Sequence, residues 1–421
     1  MRLSARKPAP KGLIASIPRE IFSLPVIVCA LGYFVDVYDI VIFSAVRGTS
    51  LSAIGIPKEE IFKTGAWLLN AQMVGMLLGG LLWGIVGDKK SRTTALFGSI
   101  FLYSVANILN AWVQTVDQYA CLRFLSGLGL AGEIGGGVTL ISEILPKRIR
   151  IYGVAVFGAI GLSGGVASGL AAEFLDWKTA YIIGGVLGLS LLALRWRVFD
   201  SDMFKKSLAD RSVKRGKLRM LLWPPRRAMT YLACILIGIP VYFVVVVFMV
   251  FAPELAKSLE IDGTLSAAIV VVCMYAGIPL GDIACAILSQ KLKSRRRALL
   301  VFLALHFSVT CLYLFSPKGM PVNWYYALSV LIGFCGGYSI MLVGLSAEHF
   351  GTNLRATVST SVLNFVRAST IPITGLCMLL KPHMPLNQAA LIIAFLAYAL
   401  ALIGLWIVEE TAERDLDYYE K

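Results

Sequence analysis

The sequence predicts an all-α polytopic membrane protein with twelve transmembrane helices in two six-helix repeats. Three observations carry that reading. Of the 421 residues, 57% are hydrophobic and 15% charged. A soluble chain carries a charged fraction near a quarter, so these polar residues are too few to cover soluble domains. Twelve apolar stretches approach the ~20 residues needed to cross a bilayer. A loop motif that follows the second stretch also returns after the eighth.

The stretches run in order along the chain. The first, 24–48, follows Arg2, Arg6, Lys7, Lys11 and Arg19, an order that a secretory leader also shows. It is too long for one, carries Asp36 and Asp39, and lacks a small-residue cleavage site, so it reads as a retained helix. Next come 66–87, 94–113, 119–143, 151–175 and 180–198, then 229–253, 266–288, 298–315, 324–346, 357–380 and 388–408. The chain divides as 1–198 for the first half, 199–228 for a basic link and 229–421 for the second half.

The net charge of +14 raises the question of nucleic acid, and its distribution answers it. Lys89, Lys90 and Arg92, then Lys147, Arg148 and Arg150, the link with its nine basic residues from Lys205 to Arg227, and Lys291 to Arg297 all fall on one side. The other side holds only singles such as Lys58, Lys63, Lys178, Lys257, Lys318 and Lys381. Basic loops stay cytoplasmic, which places both termini inside and makes the charge a topology signal. Membrane lipid is therefore the expected surrounding, and no nucleic-acid partner is expected.

Lys90-Ser91-Arg92-Thr93-Thr94-Ala95-Leu96 matches Lys293-Ser294-Arg295-Arg296-Arg297-Ala298-Leu299 at five of seven positions. Glu143 precedes Arg150 by seven residues, as Glu348 precedes Arg355. Parallel repeats of this kind build transporters with a midplane site between the halves.

At these loops the sequence resembles the major facilitator superfamily. Gly84-Ile85-Val86-Gly87-Asp88-Lys89-Lys90-Ser91-Arg92 is similar to its signature between the second and third helices, with Ser91 where Gly is usual and Thr93 where a basic residue is usual. Arg123-Phe124-Leu125-Ser126-Gly127-Leu128-Gly129, continued by Gly132-Glu133 with Glu143, Pro146 and Arg150, resembles the metabolite:proton symporter branch, as does Phe34-Val35-Asp36-Val37-Tyr38-Asp39. Asp200-Ser201-Asp202-Met203-Phe204 and Glu410-Thr411 are weaker echoes. Drug antiporters of the superfamily carry Gly-Pro in the fifth helix. Here the stretch reads Gly161-Leu162-Ser163-Gly164-Gly165, which favours uptake over efflux. The resemblance implies the major facilitator fold, a bacterial inner membrane and a monomer. It also implies a cytoplasmic gate network of Asp88, Arg92, Glu143, Arg150, Glu348 and Arg355 holding the halves together when the outer side is open. A purely topological role for Arg92 and Arg150 stays open.

Charge near the bilayer centre is costly, so each instance marks a functional candidate. Asp36 and Asp39 lie halfway along the first span, Glu133 near the middle of the fourth and Arg367 near the middle of the eleventh, with Asn364 a turn before it. These four charges are expected to meet in one cavity. Asp36, Asp39 and Glu133 are the proton-coupling candidates; each also reads as a structural bridge to Arg123 or Arg367. Arg367, and Arg123 if it turns inward rather than snorkelling, suit a planar anion by bidentate hydrogen bonding. Asn364, Tyr38 and Gln72 are the neutral candidates for the substrate site. Asp282, toward the inner end of the eighth span, reads as a packing or a gate residue.

The chain is expected not to be an enzyme: it has no Walker loop and no His-Glu-x-x-His, and His306, His349 and His383 share no motif. All eight cysteines fall in spans without ligand spacing, so no metal or organic cofactor is expected. The reading is a proton-coupled importer of a small organic anion. An exporter, a carrier of phosphate, sugar, siderophore or drug, and a non-transporting receptor remain the alternatives.

Overall fold

The computed structural model describes residues 22–89, 92–131, 145, 150–199 and 223–411. Every predicted span coincides with helix there. The first half contributes Leu24–Ala53, Ile61–Lys89, Arg92–Asn110, Val116–Leu130, Arg150–Phe174 and Trp177–Phe199. The first helix continues past the predicted end, which brings Arg47 well inside it.

Three spans of the second half are interrupted. The seventh runs Pro225–Val244 with Pro240 inside, turns through the π-helical Val245–Val250, and ends as Ala252–Ser258. Proline supplies no backbone donor to the helical ladder, and irregular turns gather where that ladder is broken. The eighth and ninth spans are Ala267–Leu292 and Arg295–Leu314. The tenth breaks between Val322–Gly336 and Ser339–Glu348, and the eleventh between Thr352–Ala368 and Thr370–Leu380. Leu386–Ile407 is the twelfth.

The packing repeats. The first span lies on the fifth and sixth, the second on the fourth, and the third on the sixth; the seventh likewise lies on the eleventh and twelfth, the eighth on the tenth, and the ninth on the twelfth. Between the halves, the fifth span meets the eighth and the second meets the eleventh. The outer surface of the bundle is apolar: Leu280, Phe395, Phe174 and Trp406 are exposed, the last at 81%. Asp36, Asp39, Gln72, Arg123 and Arg367 are buried. This inversion suits a bundle whose solvent is lipid, where apolar surface outside costs nothing.

Glycine sets the closest contacts. A Cβ at Gly127 would run into the backbone carbonyl of Gln72 on the second span, and one at Gly333 into the carbonyl of Met274 on the eighth. The two pairs occupy corresponding places in the two halves, so the repeat extends to backbone contacts. Gly333→Ala is expected to lower the melting temperature in detergent, at a cost of about 1–3 kcal/mol, because the facing backbone has no rotamer with which to yield. Gly375→Ala, where a Cβ meets nothing within 4 Å, is the control expected to melt like wild type.

Candidate functional site

Among the described residues, the central charges fall into two clusters rather than one. In the first, Arg367 of the eleventh span faces Asp36 of the first across the boundary between halves, Nη2 to Oδ2 at 3.8 Å with side-chain exposures of 5% and 0%. Arg367 Nε donates to the Tyr242 hydroxyl of the seventh span at 3.1 Å. Its Nη1 is buried with no hydrogen-bond partner among the described residues, an unusual state for a guanidinium nitrogen and one that a ligand would relieve.

Aromatic rings surround this pair. Tyr33 lies within electrostatic reach of Arg367, Asp36 and Tyr242, as Tyr275 does. Tyr33 stacks on Phe157 at 4.9 Å and 9°. The fifth span makes room for these rings by having no side chain opposite them: a Cβ at Gly161 would enter the Tyr33 ring and one at Gly165 the Tyr275 ring. Part of what these glycines pack against is therefore the site's aromatic wall. A cavity of about 30 Å³ lies against Tyr242 and Tyr275 of this wall, lined also by Ser44, Met73, Met249 and Thr370. It draws on both halves and has room for a water but not for an organic acid.

The second cluster lies inside the first half. Arg123 is fully buried and does not snorkel; it donates to Gln72 Oε1 and sets its guanidinium over the Phe43 ring at 4.6 Å. Tyr119, beside it, lies 2.6 Å from Tyr181, oxygen to oxygen, and donates to Ser50 at 3.2 Å. The Tyr38 hydroxyl donates to the Ala180 carbonyl at 2.9 Å. Asp39 faces the sixth span, where a Cβ at Gly184 would meet its Oδ1. The expected meeting of Asp39 with Asp36 and Arg367 in one cavity is therefore not seen. One turn apart on a helix still leaves Asp36 and Asp39 enough angular separation to face different neighbours, and Gly184 admits the second carboxylate. Tyr38, Gln72 and Arg123, expected at the substrate, are engaged with their own half. Asn364 bridges halves by donating to the Ala131 carbonyl at 3.4 Å.

On the face that carries the basic loops, Glu348 pairs with Arg295 at 3.3 Å and accepts from Thr411 at 2.6 Å. Glu410 accepts from the backbone N–H of Arg295 at 2.8 Å. These partners all belong to the second half, whereas the expected network joined the two. Glu133 and Glu143 lie outside the described residues, as do the side chains of Asp88, Arg92, Arg150 and Arg355.

The opposite face holds contacts that the sequence reading missed. Arg47 of the first span forms a bidentate pair with Glu254 of the seventh, one nitrogen to the two oxygens at 2.8 and 2.6 Å, and its guanidinium lies 5.4 Å from the Phe251 ring. Phe251 packs on Phe62 at 4.4 Å, and Lys381 Nζ lies 3.5 Å from the Phe62 ring centre. Burial holds the Lys381 ammonium below its ordinary value, with Glu254 pulling it back up. Thr374 donates to Asn70 at 2.8 Å, and Ser266 donates to Glu173. Each of these contacts joins one half to the other, so this face is closed. Arg47 and Glu254 were overlooked because a charge near a span end ordinarily reads as interfacial.

The model of the Major Facilitator Superfamily matches residues 29–375. The chain belongs to this superfamily. It is a multi-pass membrane transporter, not an enzyme. The "Probable 4-methylmuconolactone transporter" of Cupriavidus pinatubonensis is 25% identical over 91% of this chain and 89% of its own. The 3-(3-hydroxy-phenyl)propionate transporter of Escherichia coli is 26% identical over 75% of this chain and 79% of its own. The crystal structure of a D-xylose-proton symporter superposes with a TM-score of 0.69 at 16% identity, covering 94% of this chain and 99% of that one, a likeness of fold.

Proposed function

We propose that the protein imports a small carboxylate bearing a planar ring, together with protons, by rocking two halves, 1–198 and 229–421, about a site near Arg367. In this reading both termini and the 199–228 link are cytoplasmic, the basic face is the inner one, and the membrane is the bacterial inner membrane. The chain works as a monomer. The observation that carries it is the Asp36–Arg367 pair, buried between the halves at 3.8 Å among Tyr33, Tyr242 and Tyr275.

The chemistry follows from that pairing. Ionised Asp36 competes with an incoming carboxylate for the same guanidinium. A proton on Asp36 removes the competitor, so the anion and the proton bind together, which is the differential interaction that coupling requires. Phenol rings offer flat apolar faces to an aromatic ring. The relative that carries 3-(3-hydroxy-phenyl)propionate handles such an acid. Asp39 and Glu133 are the further proton-coupling candidates, and Asn364, beside Arg367, stays a candidate for substrate contact.

The test is uptake into proteoliposomes of a panel of radiolabelled aromatic carboxylates under an imposed proton gradient. Acid outside is expected to drive accumulation, and a protonophore to abolish it. Asp36→Asn is expected to retain exchange of substrate for substrate while losing accumulation against a gradient. Wild-type accumulation by Asp36→Asn would sink the coupling argument.

A further inference from the structure

Asp282 of the eighth span makes no hydrogen bond or ion pair to the described residues of either central cluster, yet it is buried at a break in the neighbouring helix. The tenth span leaves helical geometry at Gly337, φ −72° and ψ 57°, and at Tyr338, φ −126° and ψ 7°, then restarts as Ser339–Glu348. The backbones of Gly281 and Asp282 press directly on Gly337, where a Cβ would run into both. The N-cap residue Tyr338 makes no side-chain bond to the new helix. Asp282 supplies the cap from outside: its Oδ1 accepts from the Ile340 N–H at 3.3 Å. Its Oδ2 is buried with no hydrogen-bond partner among the described residues.

The helix that Asp282 holds reaches both the face with the basic loops and the other half. Its far end is Glu348, fastened to Arg295 and Thr411 on the inner face. Near its start, the Ile340 side chain lies on the fifth span of the other half, 2.8 Å from where a Cβ of Gly158 would stand. Titratable groups in electrostatic reach of Asp282 include Tyr33 from the first span and Cys285 on its own helix. Tyr33 also senses Arg367 and Asp36, and Cys285 senses Arg295. From the ninth span, His306 abuts Gly336 at the break.

We propose that Asp282 is a proton-operated latch: ionised, it holds the start of the inner helix Ser339–Glu348, and protonated, it releases it, so that inner-gate movement depends on a proton distinct from the one at Asp36. The physical basis is that a helix N-terminus attracts a carboxylate by charge and dipole, and a neutral carboxyl keeps only a weak acceptor. The only bond made or broken is the O–H on Asp282, whose proton returns to water. Asp282 is in this role a positioning residue, and the idea rests on the proton-coupled reading above.

The test is hydrogen exchange by mass spectrometry on the full-length protein in nanodiscs, at acidic and at alkaline pH, corrected for intrinsic rates. Wild type is expected to lose roughly 3- to 10-fold protection across 337–345 on acidification, the size of a buried charge–dipole contact, while the outer-face helix Ala252–Ser258 stays unchanged. Asp282→Asn is expected to show no such pH dependence, and Asp282→Glu to restore it. A pH-independent wild type overturns the latch, as does Asp282→Asn responding like wild type. Should the asparagine variant fail to fold, the wild-type comparison of the two segments decides alone. If wild type shows the pH response but no gradient-driven uptake, the symport reading fails and the latch stands.

Discussion

Arg367→Gln is expected to abolish measurable substrate binding while leaving the protein folded in detergent. The substrate carboxylate would take two charge-assisted hydrogen bonds from the guanidinium. At about 1.5–3 kcal/mol each, their loss corresponds to a rise in Kd of roughly 10²- to 10⁴-fold. Arg367→Lys is expected to recover only part of it, because an ammonium is a point charge and cannot span both oxygens of a carboxylate. Equilibrium binding of the aromatic acid taken up best by wild type, measured by scintillation proximity, reads the difference directly. The glutamine variant also leaves Asp36 buried without its positive partner, 0% exposed, which is destabilising in its own right. The double variant Asp36→Asn/Arg367→Gln is therefore expected to melt higher than Arg367→Gln yet still not bind. Wild-type affinity in Arg367→Gln would remove the site from this position.

Breaking the outer clamp is expected to have the second-largest effect, and on conformation rather than affinity alone. Arg47 and Glu254 are 3% and 19% exposed at the side chain, so removing one partner leaves the other charge poorly solvated. Losing one partner of a buried pair costs about 3–5 kcal/mol, and here the cost falls only on the state in which the halves touch. Arg47→Gln and Glu254→Gln should each shift the population toward the outward-open form, by roughly two to four decades on that figure. Spin labels at Lys58 and Lys318, in loops of opposite halves, are expected to report a longer distance in both variants. Uptake should show tighter apparent binding from outside with a lower maximal rate, since closure has become the difficult step. The charge-swapped pair Arg47→Glu/Glu254→Arg is expected to restore the closed distance. An unchanged distance in both single variants would mean that Phe62, Phe251 and Lys381 hold the face closed without the ion pair.

The two predictions differ in how far the sequence led to them. Arg367 and Asp36 were legible because the surrounding chain is apolar and a mid-span charge carries a cost that only function or pairing offsets. Arg47 and Glu254 carry the same charges near span ends, where water is available, and nothing in their neighbours distinguishes a gate from an interfacial residue. Gly161 and Gly165 were legible as small and not as the floor beneath Tyr33 and Tyr275, because which ring faces a glycine depends on a helix elsewhere in the chain. Glu348 was recognised through its spacing to Arg355, yet its described partners are Arg295 and Thr411, brought to it by the packing of the second half. Asp282 was left between packing and gating, since the break at Gly337 that gives it a task has no proline to announce it.

The sequence alone determined the twelve spans, the sidedness expected from the basic loops, the internal repeat and the depth of each charge. Those properties follow from hydropathy, helical rise and the cost of charge in lipid, all of which act on local chain. Tertiary structure alone decided that Asp36 pairs with Arg367 while Arg123 turns into its own half, and that the face away from the basic loops is closed. Angular position on a helix and the partner it meets are set by how twelve cylinders pack, and a difference of one turn moves a carboxylate from the boundary between halves to the interior of one.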